Sequence, residues 1–331
     1  MTVPRASVVV CTYNRAGRLA DALASIDRLE DPGVPYEVVV VDNGSTDGTP
    51  ALLRDWVARA HPGGPVRRTL HEPRPGKSFA LNLAVTSTTT DWVALTDDDV
   101  LVAPDWLAVA ARSLAERPDV DYLGGKVLPL WETEPPAWFS MAERDLFGTI
   151  AILDYGDEGF DFDGRVPLGA NIVYRRRAFE RAGLFRTDLG RDHSTLRGQE
   201  FPEHLLRLEA AGGRGRYVPD LVVHHHVPAR RLTKRYYREW FYWKGISRAL
   251  VTETAPIDEL GVDYRAVPRI AGVPRFMLRQ AVVTAVDMAG RRLRGDLPGA
   301  FVREAWLCYL YGFARQSWRI WRENGHRRRS G

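Results

Sequence analysis

Residues 6–41 read ASVVVCTYNRAGRLADALASIDRLEDPGVPYEVVVV, and this stretch decides the fold class. Ala6–Cys11 and Tyr36–Val41 are short, Val-rich runs without polar alternation, the pattern of strands buried on both faces. Between them Leu19, Leu23, Ile26 and Leu29 recur at helical spacing. A strand, helix, strand order predicts a right-handed crossover joining parallel strands. The alternation continues outward. A turn-rich 43–48 precedes a helix over Pro50–Ala60 with Pro near its start. A second helix is expected over Lys77–Val85, a strand from Trp92, and a third helix over Asp105–Glu116. The first 120 residues are therefore expected to be α/β, a mostly parallel central sheet flanked by helices.

From Tyr122 the pattern loosens. Val127–Asp163 is rich in proline, glycine and aromatics, which suits a substrate-facing segment as well as a connecting loop. Gly169–Tyr174 reads as a strand, Glu203–Ala211 as a helix ended by Gly212-Gly213, and Arg216–His225 as a strand running into three histidines. Beyond Pro228 the chain reads as helical, basic and aromatic. Residues 228–331 hold 21 Lys+Arg against 9 Asp+Glu, a balance of +12, whereas 1–227 hold 25 against 33, or −8. That asymmetry predicts a catalytic body over 1–227, with a nucleotide-binding half to about 120 and an acceptor half over 121–227, and a separate extension over 228–331.

Hydrophobic content of 45% and charged content of 27% describe an ordinary folded protein. Cys11 and Cys308 match no metal spacing, and Cys11 lies in an apolar run, so reduced thiols are expected. Met1–Arg5 lacks a leader's apolar region, and no apolar run reaches the ~18 residues of a spanning helix. The expected location is cytoplasmic, extending to the inner face of the membrane.

Chemistry is concentrated at predicted strand ends, where open α/β sheets bind ligands. Thr12-Tyr13-Asn14-Arg15 follows the first strand, Asp42-Asn43-Gly44-Ser45 the second, and Asp97-Asp98-Asp99 ends the run Trp92–Thr96. Three adjacent carboxylates gain nothing from strand formation and repel one another. A divalent cation with a preference for oxygen, Mg²⁺ or Mn²⁺, would neutralise them. An acidic turn with Asp99 capping the next helix is the plainer alternative.

CTYNR, VDNGSTDGT, PGKSFALN, LTDDDV, RGQEFPEHLLRL and YVPDLVVHHH, in this order over roughly residues 6–230, together resemble family 2 glycosyltransferases of the GT-A fold. The resemblance implies a hexosyltransferase-type enzyme that moves a sugar from a nucleotide-diphosphate donor (UDP-, GDP- or dTDP-sugar) to a hydroxyl of a carbohydrate or lipid-linked acceptor, with inversion. It places Thr12, Tyr13, Asn14, Arg15, Asp42, Asn43, Lys77, Asp97 and Asp98 at the nucleotide, with Tyr13 against the base, Asp42 on base or ribose and Lys77 on diphosphate or sugar. Asp97 and Asp99 match the family's Asp-x-Asp pair. Asp99 is the preferred metal ligand, with Asp97 and His225 or His224 beside it. Strand alternation allows at most two of His224, His225 and His226 to share a face. The family's catalytic base lies in an acidic pair at a helix start. Here Gln199 replaces the first acid, leaving Glu200 as the base, and Glu203 follows on the same helical face as support or substitute.

The extension interleaves Arg and Lys with Tyr236, Tyr237, Trp240, Phe241, Tyr242 and Trp243, and Trp306, Leu310, Phe313 and Ser317 recur at helical spacing. Such composition serves an anionic membrane surface or packing on protein, including a second copy of the chain. No nucleic-acid module accompanies the charge. Two other functions fit the same fold class: a sugar nucleotidyltransferase, for which the stretch after the first strand is poor in glycine, and a non-catalytic sugar- or lipid-binding scaffold.

Overall fold

A computed structural model describes residues 6–61, 63–191, 195–253, 262–264 and 266–327; the first five residues, read above as lacking a leader, lie outside them. The chain divides into two compact units. The first comprises Met1–Leu130, Ala151–His193 and Glu200–His226, and the second Trp131–Ile150, Ser194–Gln199 and Val227–Gly331. Residues 131–150, expected in the acceptor half, thus belong with the C-terminal unit.

In the first unit, strands β1 (Ala6–Thr12), β2 (Tyr36–Asp42), β3 (Val66–His71) and β4 (Trp92–Asp97) run parallel in the order β3-β2-β1-β4. The helices between them are α1 (Ala16–Ile26), α2 (Thr49–Ala58) and α3 (Lys77–Ser87). Val8, Val10, Val38 and Val40 face one core, while Val9, Val39 and Val41 face another. Period-2 geometry with both faces covered is what removed polar alternation from these runs.

After β5 (Val100–Val102) and α4 (Trp106–Glu116), the sheet continues antiparallel through β6 (Tyr122–Trp131), β7 (Phe160–Asp161), β8 (Asn171–Arg175) and β9 (Gly215–Val227). β8 lies between β4 and β6, and β9 pairs with β5 and β7. Helices α5 (Arg176–Ala182) and α6 (Glu200–Ala210) complete the unit. A buried Asn171 ties its centre together. Its amide donates to the carbonyls of Lys126 and Leu221, and its oxygen accepts from Trp106 Nε1. Each polar atom of this fully buried side chain is thereby satisfied, which is what makes its burial affordable in energy.

The second unit is built on α7 (Lys234–Val251), α8 (Arg275–Leu293) and α9 (Leu297–Arg327), with a two-residue pairing of β10 (Arg269–Ile270) and β11 (Val273–Pro274). α7 and α9 approach closely at glycines. A Cβ on Gly245 would meet Tyr309 O at 2.1 Å, and one on Gly312 would meet Tyr242 O at 2.1 Å. Tyr237 and Phe241 of α7 and Leu310, Phe313 and Ser317 of α9 are buried. Among the described residues no helix is long and apolar enough to cross a membrane.

Candidate active site

The parallel register brings three strand ends level. Thr12 stands opposite Asp42, and Cys11 opposite Asp97. Loss of water pushes the Cys11 thiol up to about 12, so it stays a neutral thiol beside these charges.

Within the acidic triplet the carboxylates have different partners. Asp98 is spent on protein: Thr12 Oγ1 donates to its Oδ2 at 2.8 Å and Arg15 Nη1 to its Oδ1 at 2.8 Å. Burial pushes this carboxyl up to about 6, with the Arg15 cation drawing against that and Asp99 adding to it. The same Arg15 nitrogen donates to Asp99 Oδ2 at 2.8 Å. Asp99 Oδ1 is turned the other way and lies 3.5 Å from His225 Nε2.

Backbone pairing holds that couple. β5 follows Asp99 immediately and pairs with β9, so that Val100 faces His225 and Leu101 faces His224, and His226 N–H donates to Asp99 O. Alternation along β9 puts His225 (2% exposed) on the buried side with Val223 and Val227, while His224 and His226 point to the other. Of the two histidines named as ligands, His225 is the one at Asp99.

Asp97 faces Lys77, which donates to its Oδ1 at 2.5 Å. Lys77 is placed by the turn before α3. Asn43 donates from Nδ2 to the carbonyls of Glu72 and Arg74 and accepts at Oδ1 from Gly76 N–H. Gly76 has φ 137°, a conformation closed to other residues, and Lys77 N–H then donates to Arg191 O. Asn43 therefore shapes the loop that presents Lys77. Loss of water alone would lower the Lys77 pKa, but the charges of Asp97 and Glu200 outweigh it and the pKa is raised.

Glu200 opens α6 after Gln199, whose φ of 89° turns the chain into the helix. It is buried, and that burial raises its pKa against the nearby cations Lys77 and Arg191. Arg191 had no sequence signal. It lies in an irregular stretch and reaches the site through its charge on Glu200 and its carbonyl on Lys77. Glu203, one turn on, is fully buried and accepts from Arg207 at both oxygens, 2.8 Å at Oε1 and 3.0 Å at Oε2.

The loops after β1 and β2 are stitched together. Asn14, at φ 50°, accepts at Oδ1 from the N–H groups of Thr46 and Asp47, while its own N–H donates to Ser45 Oγ. Asp42 is buried and accepts from Ser45 N–H at 2.9 Å. Tyr13 is half-buried between Thr12 and the exposed Asn14. Thr12, Tyr13, Asn14, Arg15, Asp42, Asn43, Lys77, Asp97, Asp98, Asp99, Glu200, Glu203, His224 and His225 all belong to the first unit.

Among the described residues no three His, Cys, Asp or Glu side chains form a closed metal cage. The chemistry of the donor set nevertheless fits an open site. Asp99 offers a carboxylate oxygen beside an imidazole nitrogen, and Mg²⁺-type sites commonly use one or two protein ligands plus substrate phosphates.

The model of the family described as Glycosyl transferase family 2 matches residues 7–183. The chain belongs to that family. Family membership makes it a glycosyltransferase rather than a sugar nucleotidyltransferase. A glucosyl-dolichyl phosphate glucuronosyltransferase of Haloferax volcanii is 25% identical over 252 residues, 75% of this chain and 77% of that protein. The succinoglycan biosynthesis protein ExoO of Rhizobium meliloti is 29% identical over 233 residues, 68% of this chain and 61% of that protein. Among solved structures, a mannosyltransferase of Pyrobaculum calidifontis in complex with GDP-Man and Mn²⁺ is similar at a TM-score of 0.55 and 25% identity, covering 96% of this chain and 88% of that one. The α/β first unit of this glycosyltransferase is accordingly a GT-A fold.

Proposed function

We propose that this glycosyltransferase moves a hexose from a nucleotide-diphosphate donor to an acceptor hydroxyl with inversion, using Glu200 as base. The observation that carries the reading is the contrast between the two glutamates of α6. Glu203 is neutralised by Arg207, while Glu200 is a buried carboxylate with a raised pKa, facing the charges of Lys77 and Asp97. A base of raised pKa is a better proton acceptor, provided it is still ionised at the working pH.

Asp99 and His225 would hold a divalent cation, with Asp97 close by, and the cation would supply Lewis-acid stabilisation of the diphosphate. Arg15 fixes the orientation of Asp99, and Asp98 fixes Arg15. Lys77 places a cation beside Asp97 at the start of α3, where donor phosphate charge is also favoured. Asp42 and Tyr13 receive the nucleoside, Asp42 through the carboxylate that also closes its turn on Ser45. The bound GDP-Man and Mn²⁺ of the Pyrobaculum relative support a nucleotide-sugar donor and a metal. The dolichyl phosphate in the name of the Haloferax relative supports a lipid-linked acceptor.

Calorimetric titration of UDP, GDP and dTDP, each with and without Mn²⁺, tests this on wild type and Asp99→Ala. Metal-dependent binding of one diphosphate, lost in the variant, is the expected result. Metal-independent binding, or binding that survives in Asp99→Ala, would remove Asp99 from the metal site.

A further inference from the structure

In α8 one face is buried and the other is apolar as well. Met277 and Ala281 pack with Leu310, Phe313 and Tyr309 of α9, and Thr284 is buried. The opposite face exposes Val282, Val283, Val286 and Leu293, with Val282 66%, Val286 68% and Leu293 90% exposed. At 1.5 Å per residue, residues 282–293 span a stripe about 16 Å long. Isolated exposed apolar side chains need no explanation, but a continuous stripe on one helix marks an interaction surface.

The charge around the stripe identifies the partner. Arg275 and Arg279 are exposed at its N-terminal end, and Arg292 and Arg294 at its C-terminal end. The acids nearby are already engaged: Asp287 accepts from Arg291 and Arg303, Asp296 from Arg291, and Glu304 from Arg238 and Arg292. Among the described residues no acid pairs with Arg275 or Arg279. A second copy docked through this face by a two-fold axis would set cations against cations, whether the helices ran parallel or antiparallel. An anionic lipid surface suits both features, because an apolar face enters the acyl boundary while flanking arginines meet headgroup phosphates.

We infer that α8 is a membrane-docking helix that lies in the interface of an anionic bilayer, with Val282, Val283, Val286 and Leu293 inserted and Arg275 and Arg279 on the headgroups. This surface differs from the one the aromatic composition of the extension suggested. Tyr237, Phe241 and Phe313 are interior, and the lipid-facing residues are plain aliphatics on the helix between. The inference stands on the second unit alone and is independent of the catalytic reading.

Vesicle flotation of the full chain tests it, with vesicles of phosphatidylcholine alone and with phosphatidylglycerol added. Wild type is expected to float with the anionic vesicles and to be released by salt. Arg275→Gln with Arg279→Gln is expected to weaken binding roughly thirty-fold, two surface cations' worth, and Val283→Ser with Val286→Ser to abolish flotation at unchanged thermal stability. Equal binding to both vesicle types, or binding indifferent to these substitutions, would overturn the inference. So would a wild-type dimer by light scattering that Val283→Ser with Val286→Ser converts to monomer, which would assign the stripe to a second copy.

Discussion

The strand-end rim of the first unit and the outer face of α8 in the second depart from the usual partition of side chains in opposite directions. At the rim, ionisable groups are buried: Asp98, Glu200 and His225 are nearly inaccessible, and Lys77, Arg15 and Arg191 sit among them. On α8, aliphatic side chains are exposed. Burying charge costs free energy unless it is paired, and exposing a stripe of aliphatics leaves hydrophobic free energy unrealised. The two regions resolve this differently. The rim satisfies most of its charge internally, and Glu200, Asp99 and His225 are the groups proposed to meet ligands. The α8 face has no internal solution among the described residues. A site for chemistry is thus largely pre-organised by protein, whereas a docking face waits for its partner.

The largest effect that would break this comparison belongs to Glu200. Glu200→Gln is expected to lower kcat by about 10²–10⁴, the range for losing a general base, with metal-dependent donor binding retained by calorimetry. The pH profile has a definite sign. Because the folded-state pKa of Glu200 is raised, the base is still protonated where an ordinary glutamate is charged. The acid limb of kcat should therefore lie above the usual ~4.3 for Glu, and the variant should lose that limb. Stability follows the opposite course. A raised pKa favours the fold at low pH, and that contribution is lost as pH rises through the folded value. At neutral pH Glu200→Gln should have a Tm equal to or above wild type, with the gap closing on acidification. A variant that kept full turnover would return the base to another residue.

Arg15 comes next. As the cation orienting Asp99, it should affect metal affinity without touching substrate. Outer-shell partners typically account for about 10–100-fold in metal affinity, and Arg15→Gln is expected to weaken Mn²⁺-dependent diphosphate binding within that range. Arg15→Lys should restore only part, since an ammonium cannot reproduce the guanidinium's geometry. If metal-independent binding fell equally, Arg15 would be a nucleotide contact instead.

How much of this was legible beforehand follows from whether a pattern is local or tertiary. The strands β1, β2 and β4 were legible because burial on both faces writes a continuous apolar run, and their polar ends marked the rim. β6 was not. Gly124, Gly125 and Pro129 in Tyr122–Trp131 look like loop residues. Gly125 is there because a Cβ would meet Leu221 O at 1.9 Å, a demand made by a strand almost a hundred residues away. In the same way Glu200 and Glu203 are near equivalents in sequence, but Glu203 pairs with Arg207 one turn on, while Glu200 meets the charges of the distant Lys77 and Asp97. Asn43 lies among nucleotide-loop residues, yet its side chain is spent on the 72–76 turn. The stripe on α8 was invisible because FMLRQAVVTAV has apolar residues all round, and α9 decides which face is covered.

Glu203 sharpens the contrast with Glu200 at smaller scale. Glu203→Gln leaves the Arg207 guanidinium without its carboxylate, and because that side chain is 30% exposed, water compensates in part. A loss of about 2 kcal/mol is expected, below the full cost of breaking a sealed pair. Urea denaturation would read it as a lower midpoint at unchanged slope, and turnover per folded molecule should be near wild type. A kcat loss matching that of Glu200→Gln would show that the two carboxylates act as a unit.

The smallest effect separates the two faces of α8. Met277→Ala removes a buried side chain and should cost about 2–5 kcal/mol, whereas Val283→Ser on the exposed face should stay within about 0.5 kcal/mol. The pair controls for the docking test, because a face that water already reaches loses nothing when its side chains become polar. Should Val283→Ser prove as damaging as Met277→Ala, measured by thermal unfolding without lipid, then something in the protein covers that face in solution. The aliphatic stripe would then be core, its flanking arginines would be ordinary solvated charges, and the second unit would need no partner. Should it prove neutral, the hydrophobic free energy of the stripe remains unrealised in the isolated chain and available to a membrane.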